Sequence, residues 1–460
     1  MQFALIVAVL AALFISESAP QEPVTSVGGR LVFAALAMLS VLGVAWIGTR
    51  VTTWGLQRDR CQSAWWLRRF ATFQKLHIAV WLLAVGVVLY GLGWPQLVRF
   101  NWNLDGTFLA DELLILTPVI VPLIASWAVF YDVDRVLQLV TAQAVPSPES
   151  HVSRASYLGL HMRQYLGLLL IPVLVMFAIQ DTVHLVMPQL LESPQAWLLF
   201  LPALPLVFLG LPLMLRCVWT TTPLTTGPLR TALQDAADRC GLRVSEILVW
   251  NTDGLITNAA VAGFLPRLRY LFLSDALVDG LDQQQIEAIL AHEAGHIRRH
   301  HLPLRVVAIL LPMIVWVPFQ TLCPDQAQAI QASFTVGDFA TPLLAGLAAL
   351  ATVAGYGWFV FGSYARLLEK QADLFAVEAM DPTRDPEPLI GALEQLAVLT
   401  GSGRHGRSWL HPTIAERVDF LRQMSDDLVA RRRFEWRLGR LSACLTVFVV
   451  LSLASPWLLG

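Results

Sequence analysis

The chain has 460 residues, 56% of them hydrophobic and only 14% charged, with a net charge of −2. A soluble domain is about 45–50% apolar and about 25% charged, so this balance excludes an ordinary water-soluble protein. It also excludes disorder, which needs the opposite composition. There is no basic excess to hold a nucleic-acid backbone, and five scattered cysteines without a C-x-x-C pair exclude a disulfide scaffold and a cysteine metal site.

An integral membrane protein remains, and a spanning helix needs about 17–25 mostly apolar residues. The first apolar stretch, 3–15, is short for a span. It also reads as the core of a cleaved signal peptide with Ser16-Glu17-Ser18 as a poor cleavage site, but no Lys or Arg precedes it, as one usually does in such a peptide. Strong spans are expected at 31–48, 76–98, 113–131 and 196–215, with a weaker one at 165–179. Pro118, Pro122, Pro205 and, further on, Pro312 fall inside spans, where neighbouring helices can satisfy the freed carbonyls. The polar stretch 219–301 predicts a helix over 228–240, opened by Pro228 and ended by Gly241. Strands follow at 246–250, 257–264 and 270–273. Asp282 reads as an N-cap with Gln285 as its box partner, opening a helix that runs to about His301. A weaker span at 306–319 and a strong one at 340–361 come next. Residues 362–440 are helical with a Pro- and Gly-containing middle, and 441–459 form a last span.

Charge orients these segments. With the N-terminus in the cytoplasm, Arg50, Arg58, Arg60, Arg68, Arg69 and Lys75 lie in one inward loop, and Arg135, Arg154 and Arg163 in another. The stretches 180–195 and 320–339 hold no Lys or Arg, only Asp181, Glu192, Asp325 and Asp338. This is the positive-inside pattern, and it puts 216–305 and 362–440 on the cytoplasmic side.

The helix beginning at Asp282 contains His292-Glu293-Ala294-Gly295-His296. Four residues is just over one helical turn, so both imidazoles leave one face and can hold one zinc ion. Glu293 stands beside them as a proton acceptor for an attacking water. Ala291, Ala294 and Gly295 are small enough to let another segment approach closely. A third ligand is needed. The extended zinc pattern with a third His six residues after the second fails, because that position is Leu302; His300 and His301 read as polar residues at a helix–membrane junction. A carboxylate from a second helix is the alternative. Glu369 and Asp373 are four apart on one face, Glu369 to ligate and Asp373 to hydrogen-bond a ligating imidazole. The two spans within 306–361 form a membrane hairpin that returns Glu369 to the surface His296 left.

At these residues the chain resembles the HtpX and CAAX prenyl protease type 1 group of integral-membrane zinc metallopeptidases. In that group H-E-x-x-H is followed by two spans and then S-R-x-x-E-x-x-A-D. Arg366, Glu369, Ala372 and Asp373 match that spacing, while Ala365 stands at the serine position. Asn258-Ala259-Ala260-Val261, with Gly263-Phe264 after it, resembles the group's N-A segment, which implies an edge strand that pairs with extended substrate. His411-Pro412 followed by Arg417 resembles its H-P-x-x-x-x-R element, implying that His411 stabilises the oxyanion and Arg417 supports it. The resemblance covers about residues 219–425 and leaves 1–215 and the last span without a counterpart.

The expected fold is therefore mainly α: a polytopic helical membrane protein of about eight to nine spans, with a zincin-like α+β metallopeptidase domain at the cytoplasmic face. Its parts are an N-terminal membrane region of five or six spans (1–215), the H-E-x-x-H part of the peptidase (216–305), the hairpin (306–361), the part bearing the third ligand (362–440) and a C-terminal span (441–460). The expected function is zinc-dependent endopeptidase, one Zn²⁺ per chain, acting on membrane or membrane-associated proteins in quality control or processing. CAAX-type processing of lipid-modified C-terminal peptides is the alternative. An inactive membrane sensor or scaffold is the reading from another class, and the intact Glu293 speaks against it. The expected partners are a peptide or membrane-protein substrate and the lipid bilayer, with no nucleic acid. The expected location is the bacterial inner membrane, or alternatively the endoplasmic reticulum, with the site facing the cytoplasm.

Overall fold

The computed structural model describes the whole chain apart from residues 1, 19, 21, 60–61, 143–152, 192–202, 334–339, 381–383, 402, 407, 409 and 460. The chain divides into two units, Met1–Trp219 and Thr220–Gly460.

The regular secondary structure among the first unit's described residues is all helical. Gln2–Ser18 is followed by a 32-residue helix, Val27–Arg58, which packs against Ser63–Gly86 and Thr117–Ala142. Close approach is possible because Gly55 presents no side chain: a Cβ there would lie 2.2 Å from the Trp66 ring. The Trp81 indole N–H donates to the Val119 carbonyl at 3.0 Å, a buried bond that fixes the depth of one helix against the other. Arginines lie over tryptophans in these helices, Arg50 on Trp46, Arg58 on Trp54 and Arg69 on Trp65. Such amphipathic pairs suit the boundary between apolar and aqueous phases.

Four helical segments among the described residues are long and apolar enough to cross a membrane: Val27–Arg58, Trp65–Gly91, Arg154–Val186 and His301–Gln320. They contain the expected spans at 31–48, 165–179 and 306–319 and most of the one at 76–98. Ala4–Leu13 and Leu209–Val218 are apolar but shorter. The expected span 196–215 lies partly outside the described residues, as do Glu192 and Asp338. The segments 113–131, 340–361 and 441–459 are largely helical but fall outside these four.

The second unit joins a small mixed sheet to a helical layer. Its strands are β1 (Thr221–Pro223), β2 (Glu246–Trp250), β3 (Ala259–Ala262) and β4 (Tyr270–Ser274), in the order β1-β2-β4-β3. The two central strands run parallel, and each edge strand is antiparallel to its neighbour. β1 has no sequence signal, because its three residues Thr221-Thr222-Pro223 carry no periodicity. β4 is buried at every position, as a central strand covered on both faces should be. Behind the sheet, Pro228–Arg239 ends at Gly241 with φ 62°, the left-handed conformation that the stop signal predicts.

The core binds sheet to helices. Ile247, Leu271 and Leu273 meet Leu233 and Ala236, then Leu290 and Ala294, then Leu374, Leu393, Val418 and Leu421 in one buried cluster. Two helices at its centre carry the candidate site residues. The first ligand helix, Gln283–Arg298, opens with the expected capping box between Asp282 and Gln285. It ends three residues before the expected end: His300 turns to φ 55°, and a separate membrane helix, His301–Leu322, starts there. The second ligand helix, Gly362–Met380, packs directly on the first. Gly295 makes that contact possible, since a Cβ on it would stand 3.1 Å from the Ala372 Cα.

Candidate active site

The first ligand helix turns His292 and His296 to one side, with their Nε2 atoms 3.3 Å apart. The second ligand helix brings in Glu369, only 1% exposed. Its Oε1 lies 3.4 Å from His296 Nε2 and its Oε2 3.6 Å from His292 Nε2. Donors sharing one tetrahedral zinc at about 2.0–2.1 Å stand about 3.3–3.4 Å apart. Two imidazoles and a carboxylate at this spacing therefore fit zinc in both donor type and separation. Glu293 also falls with the two histidines in a set whose ligand atoms lie within 4.8 Å of one another. Glu369 is the better third donor, because its two oxygens each face one imidazole, whereas Glu293 is engaged elsewhere.

Glu293 faces β3. Its carboxylate accepts a hydrogen bond from the Val261 N–H, and burial pushes its pKa up. β3 is the edge strand expected of the N-A segment, joined to the rest of the sheet only through β4. Asn258 pairs with Ser274: its N–H donates to Ser274 Oγ, and its C=O accepts from the Ser274 N–H. Antiparallel alternation then directs the N–H and C=O of Ala259 and Val261 to the outer edge, the side on which Glu293 stands. The strand is held at its far end by Arg269, whose guanidinium donates to the Gly263 and Phe264 carbonyls at 2.9 and 2.6 Å. Gly263 sits at φ 123° with the Leu268 carbonyl 2.3 Å from where a Cβ would be, so only glycine fits there.

Asp373 stands where the four-residue spacing puts it, one turn beyond Glu369. Its Oδ1 is 2.8 Å from His292 Nδ1, the ring atom away from the candidate metal position. Burial alone would lower the His292 pKa, but the Asp373 carboxylate opposes this and raises it to about 9. Burial likewise works to raise the carboxyl of Asp373, and the Arg417 guanidinium overrides it. Arg417 departs from the expectation. It forks onto Asp373, Nε donating to Oδ2 at 2.9 Å and NH2 to Oδ1 at 2.5 Å. It thus stands behind His292 and braces that ring through Asp373, where the resemblance implies support of His411. The reason is local: a capping box of Thr413 and Glu416 starts the helix Ile414–Asp426, and its first turn carries Arg417 inward while His411 stays in the loop before it.

His411 is half exposed, its side chain 53% accessible, and its Nδ1 is 2.8 Å from Glu369 Oε2. The other Glu369 oxygen receives Arg305 NH2 at 2.5 Å, from the first turns of the membrane helix. Burial would raise the Glu369 carboxyl, but hydrogen bonds from His292 and His411 hold it far below the usual carboxylate range.

Three participants lie beyond the sequence expectations. Arg305 has no motif to announce it. His301, expected at a helix–membrane junction, is fully buried, with Nδ1 2.8 Å from His296 Nδ1. Gln371 accepts from its other nitrogen, Oε1 to His301 Nε2 at 3.0 Å. In a continuous helix, residues five apart are about 140° apart around the axis and cannot meet. The turn at His300 alone brings His301 back to His296, so helical spacing could not have found it.

Residues 223–425 match peptidase family M48. Among similar proteins, CAAX prenyl protease 1 of Saccharomyces cerevisiae is 34% identical over 85 residues, 18% of either chain. A protease HtpX homologue of Limosilactobacillus fermentum is 26% identical over 166 residues, 34% of this chain and 52% of its own. The chain thus spans about half or less of these relatives. The crystal structure of Ste24p from S. mikatae aligns over 87% of this chain and all of its own, at 16% identity and a TM-score of 0.41. Over residues 223–425 the chain is therefore similar to peptidase family M48, and it resembles the HtpX and CAAX prenyl protease group.

Proposed function

We propose that the protein is a membrane-embedded zinc endopeptidase that cleaves membrane or membrane-associated proteins at the cytoplasmic face. The observation that carries this reading is the convergence of His292, His296 and Glu369, with Glu293 between them and an edge strand. His292 and His296 through Nε2, and Glu369 through its carboxylate, would hold the metal. A zinc ion held there would supply Lewis acidity for the scissile carbonyl and for the attacking water. The rest is the work of the chain. Ala259 offers its outward N–H and C=O, and Val261 its C=O, to an extended peptide, and Asn258–Val261 hold it as an added strand. Glu293 takes the proton of the attacking water and returns it to the leaving amine; the pKa raised by burial suits a group that must both accept and release. His411, at the exposed edge beside Glu369, donates to the developing oxyanion. Asp373 and Arg417 keep His292 turned with Nε2 inward.

The cytoplasmic orientation rests on the distribution of Arg and Lys, and the membrane setting on the four long apolar helices. The local similarity to a CAAX prenyl protease favours a second reading, removal of lipid-modified C-terminal peptides. The decisive experiment measures zinc content and cleavage of a membrane-protein substrate and of a farnesylated peptide. Wild type should bind one zinc and cleave, and Glu293→Gln should bind zinc and cleave neither substrate. Undiminished cleavage by that variant overturns the mechanism, and the preferred substrate separates the two readings.

A further inference from the structure

The two candidate ligand histidines are braced from behind in different ways. The brace on His292 is the Asp373–Arg417 pair, inside the matched domain. The brace on His296 leaves that domain. From His296 Nδ1 the contacts run to His301 Nδ1 at 2.8 Å, from His301 Nε2 to Gln371 Oε1 at 3.0 Å, and from Gln371 Nε2 to Glu435 Oε2 at 2.6 Å. Glu435 belongs to the last helix, Leu428–Leu459, beyond the matched residues 223–425.

The polarity of this chain is decided at its far end. A carboxylate only accepts, so Gln371 must present its NH₂ to Glu435 and its carbonyl to His301. His301 then donates from Nε2, and as a neutral ring it accepts at Nδ1. His296 must therefore carry its proton on Nδ1, which leaves the lone pair on Nε2. That nitrogen is the one 3.4 Å from Glu369 Oε1 and 3.3 Å from His292 Nε2. Reversal of the chain would protonate His296 Nε2 and remove it as a donor to a metal.

We propose that Glu435 is a positioning residue: through Gln371 and His301 it sets the tautomer of His296 and so the metal affinity of the site. The inference rests on His296 being a zinc ligand, as proposed above. It assigns the C-terminal helix a part in the site, although the resemblance provides that helix with no counterpart.

The test uses the full chain in detergent, stripped of metal, with zinc affinity read by competition against a chelating dye. Cobalt(II) absorption reads ligand geometry, and the unfolding midpoint of the metal-free protein reads structure. Glu435→Gln keeps a carbonyl acceptor and should bind zinc like wild type. Glu435→Ala should bind more weakly, and Glu435→Lys, which offers only donors and drives Gln371 to turn over, weakest of all. The expected loss is about 10–100-fold, the usual effect of removing a partner behind a ligand. Gln371→Glu added to Glu435→Ala should restore affinity, because a carboxylate at that position accepts from His301 without help. Equal affinity across the variants, or loss that tracks the metal-free midpoint and is not restored by the double change, overturns the proposal. If the lysine variant does not fold, the Gln, Ala and double variants decide alone. A wild-type chain that takes up no zinc overturns the metal reading and this inference together. A zinc-binding wild type with unaltered variants overturns this inference only.

Discussion

Asp373 is the most consequential single side chain after the ligands. It is fully buried, its charge is held by Arg417, and it touches His292. Removing one partner of such a pair strands the other charge in a poorly solvating interior, a loss of about 3–5 kcal/mol. Arg417→Ala is therefore expected to lower the unfolding midpoint of the metal-free protein and to weaken zinc binding together. Arg417→Lys should recover only part of both, because an ammonium cannot reproduce the two-pronged contact. Preserved zinc affinity in Arg417→Ala, measured by chelator competition, would argue that Asp373 orients His292 unaided. Glu369 sits in a similar balance: its oxygens meet two imidazoles, His411 and Arg305, so its charge is offset from every side before a metal enters.

Among elements, the contact between the two ligand helices decides whether three donors can meet. At Gly295 the contact is tight, since a Cβ there would stand 3.1 Å from the Ala372 Cα. A Gly295→Leu substitution leaves all ligand residues intact but pushes the helices apart. Overpacking of this kind costs about 1–3 kcal/mol, and the larger consequence should be geometric, with zinc affinity falling while the helical content by circular dichroism is kept. Normal zinc affinity in that variant would mean the helices can separate without moving Glu369. The edge strand depends on a different anchor. Arg269→Ala removes the donors that hold the Gly263 and Phe264 carbonyls. It should raise KM for an extended peptide more than it lowers kcat, since it loosens substrate binding and leaves Glu293 in place.

For the whole molecule, a metal held as proposed by His292, His296 and Glu369 would link the two candidate ligand helices of the second unit. Zinc bound only by the folded state stabilises it by about 2.7 kcal/mol when present at about a hundred times its dissociation constant. Chelation should therefore lower the thermal midpoint, and zinc should restore it in a concentration-dependent manner. A midpoint insensitive to chelation would count against a ligand set drawn from both helices. The membrane orientation has its own test. A single cysteine at Ser408, in an otherwise cysteine-free chain, should react with an impermeant maleimide only after the membrane is opened. Labelling of sealed cells from outside would reverse the proposed topology.

Much of this was written locally in the chain. The capping box at Asp282, the helix stop at Gly241 and the two central strands follow from short-range chemistry, and the structure has them where the residues predict. The pairs His292/His296 and Glu369/Asp373 follow from helical periodicity, which is a property of the backbone and needs no partner. Periodicity says nothing across a break in the helix or between helices. The left-handed turn at His300 brings His301 to His296. The packing of Gly362–Met380 and of Leu428–Leu459 supplies Gln371 and Glu435, and the capped helix Ile414–Asp426 sends Arg417 to Asp373 and leaves His411 at the surface. Sequence by itself determined which groups could bind a metal, because that depends on residue type and spacing along one helix. Only the tertiary structure decided which groups stand behind them, because a buried polar atom takes whatever partner packing delivers to it.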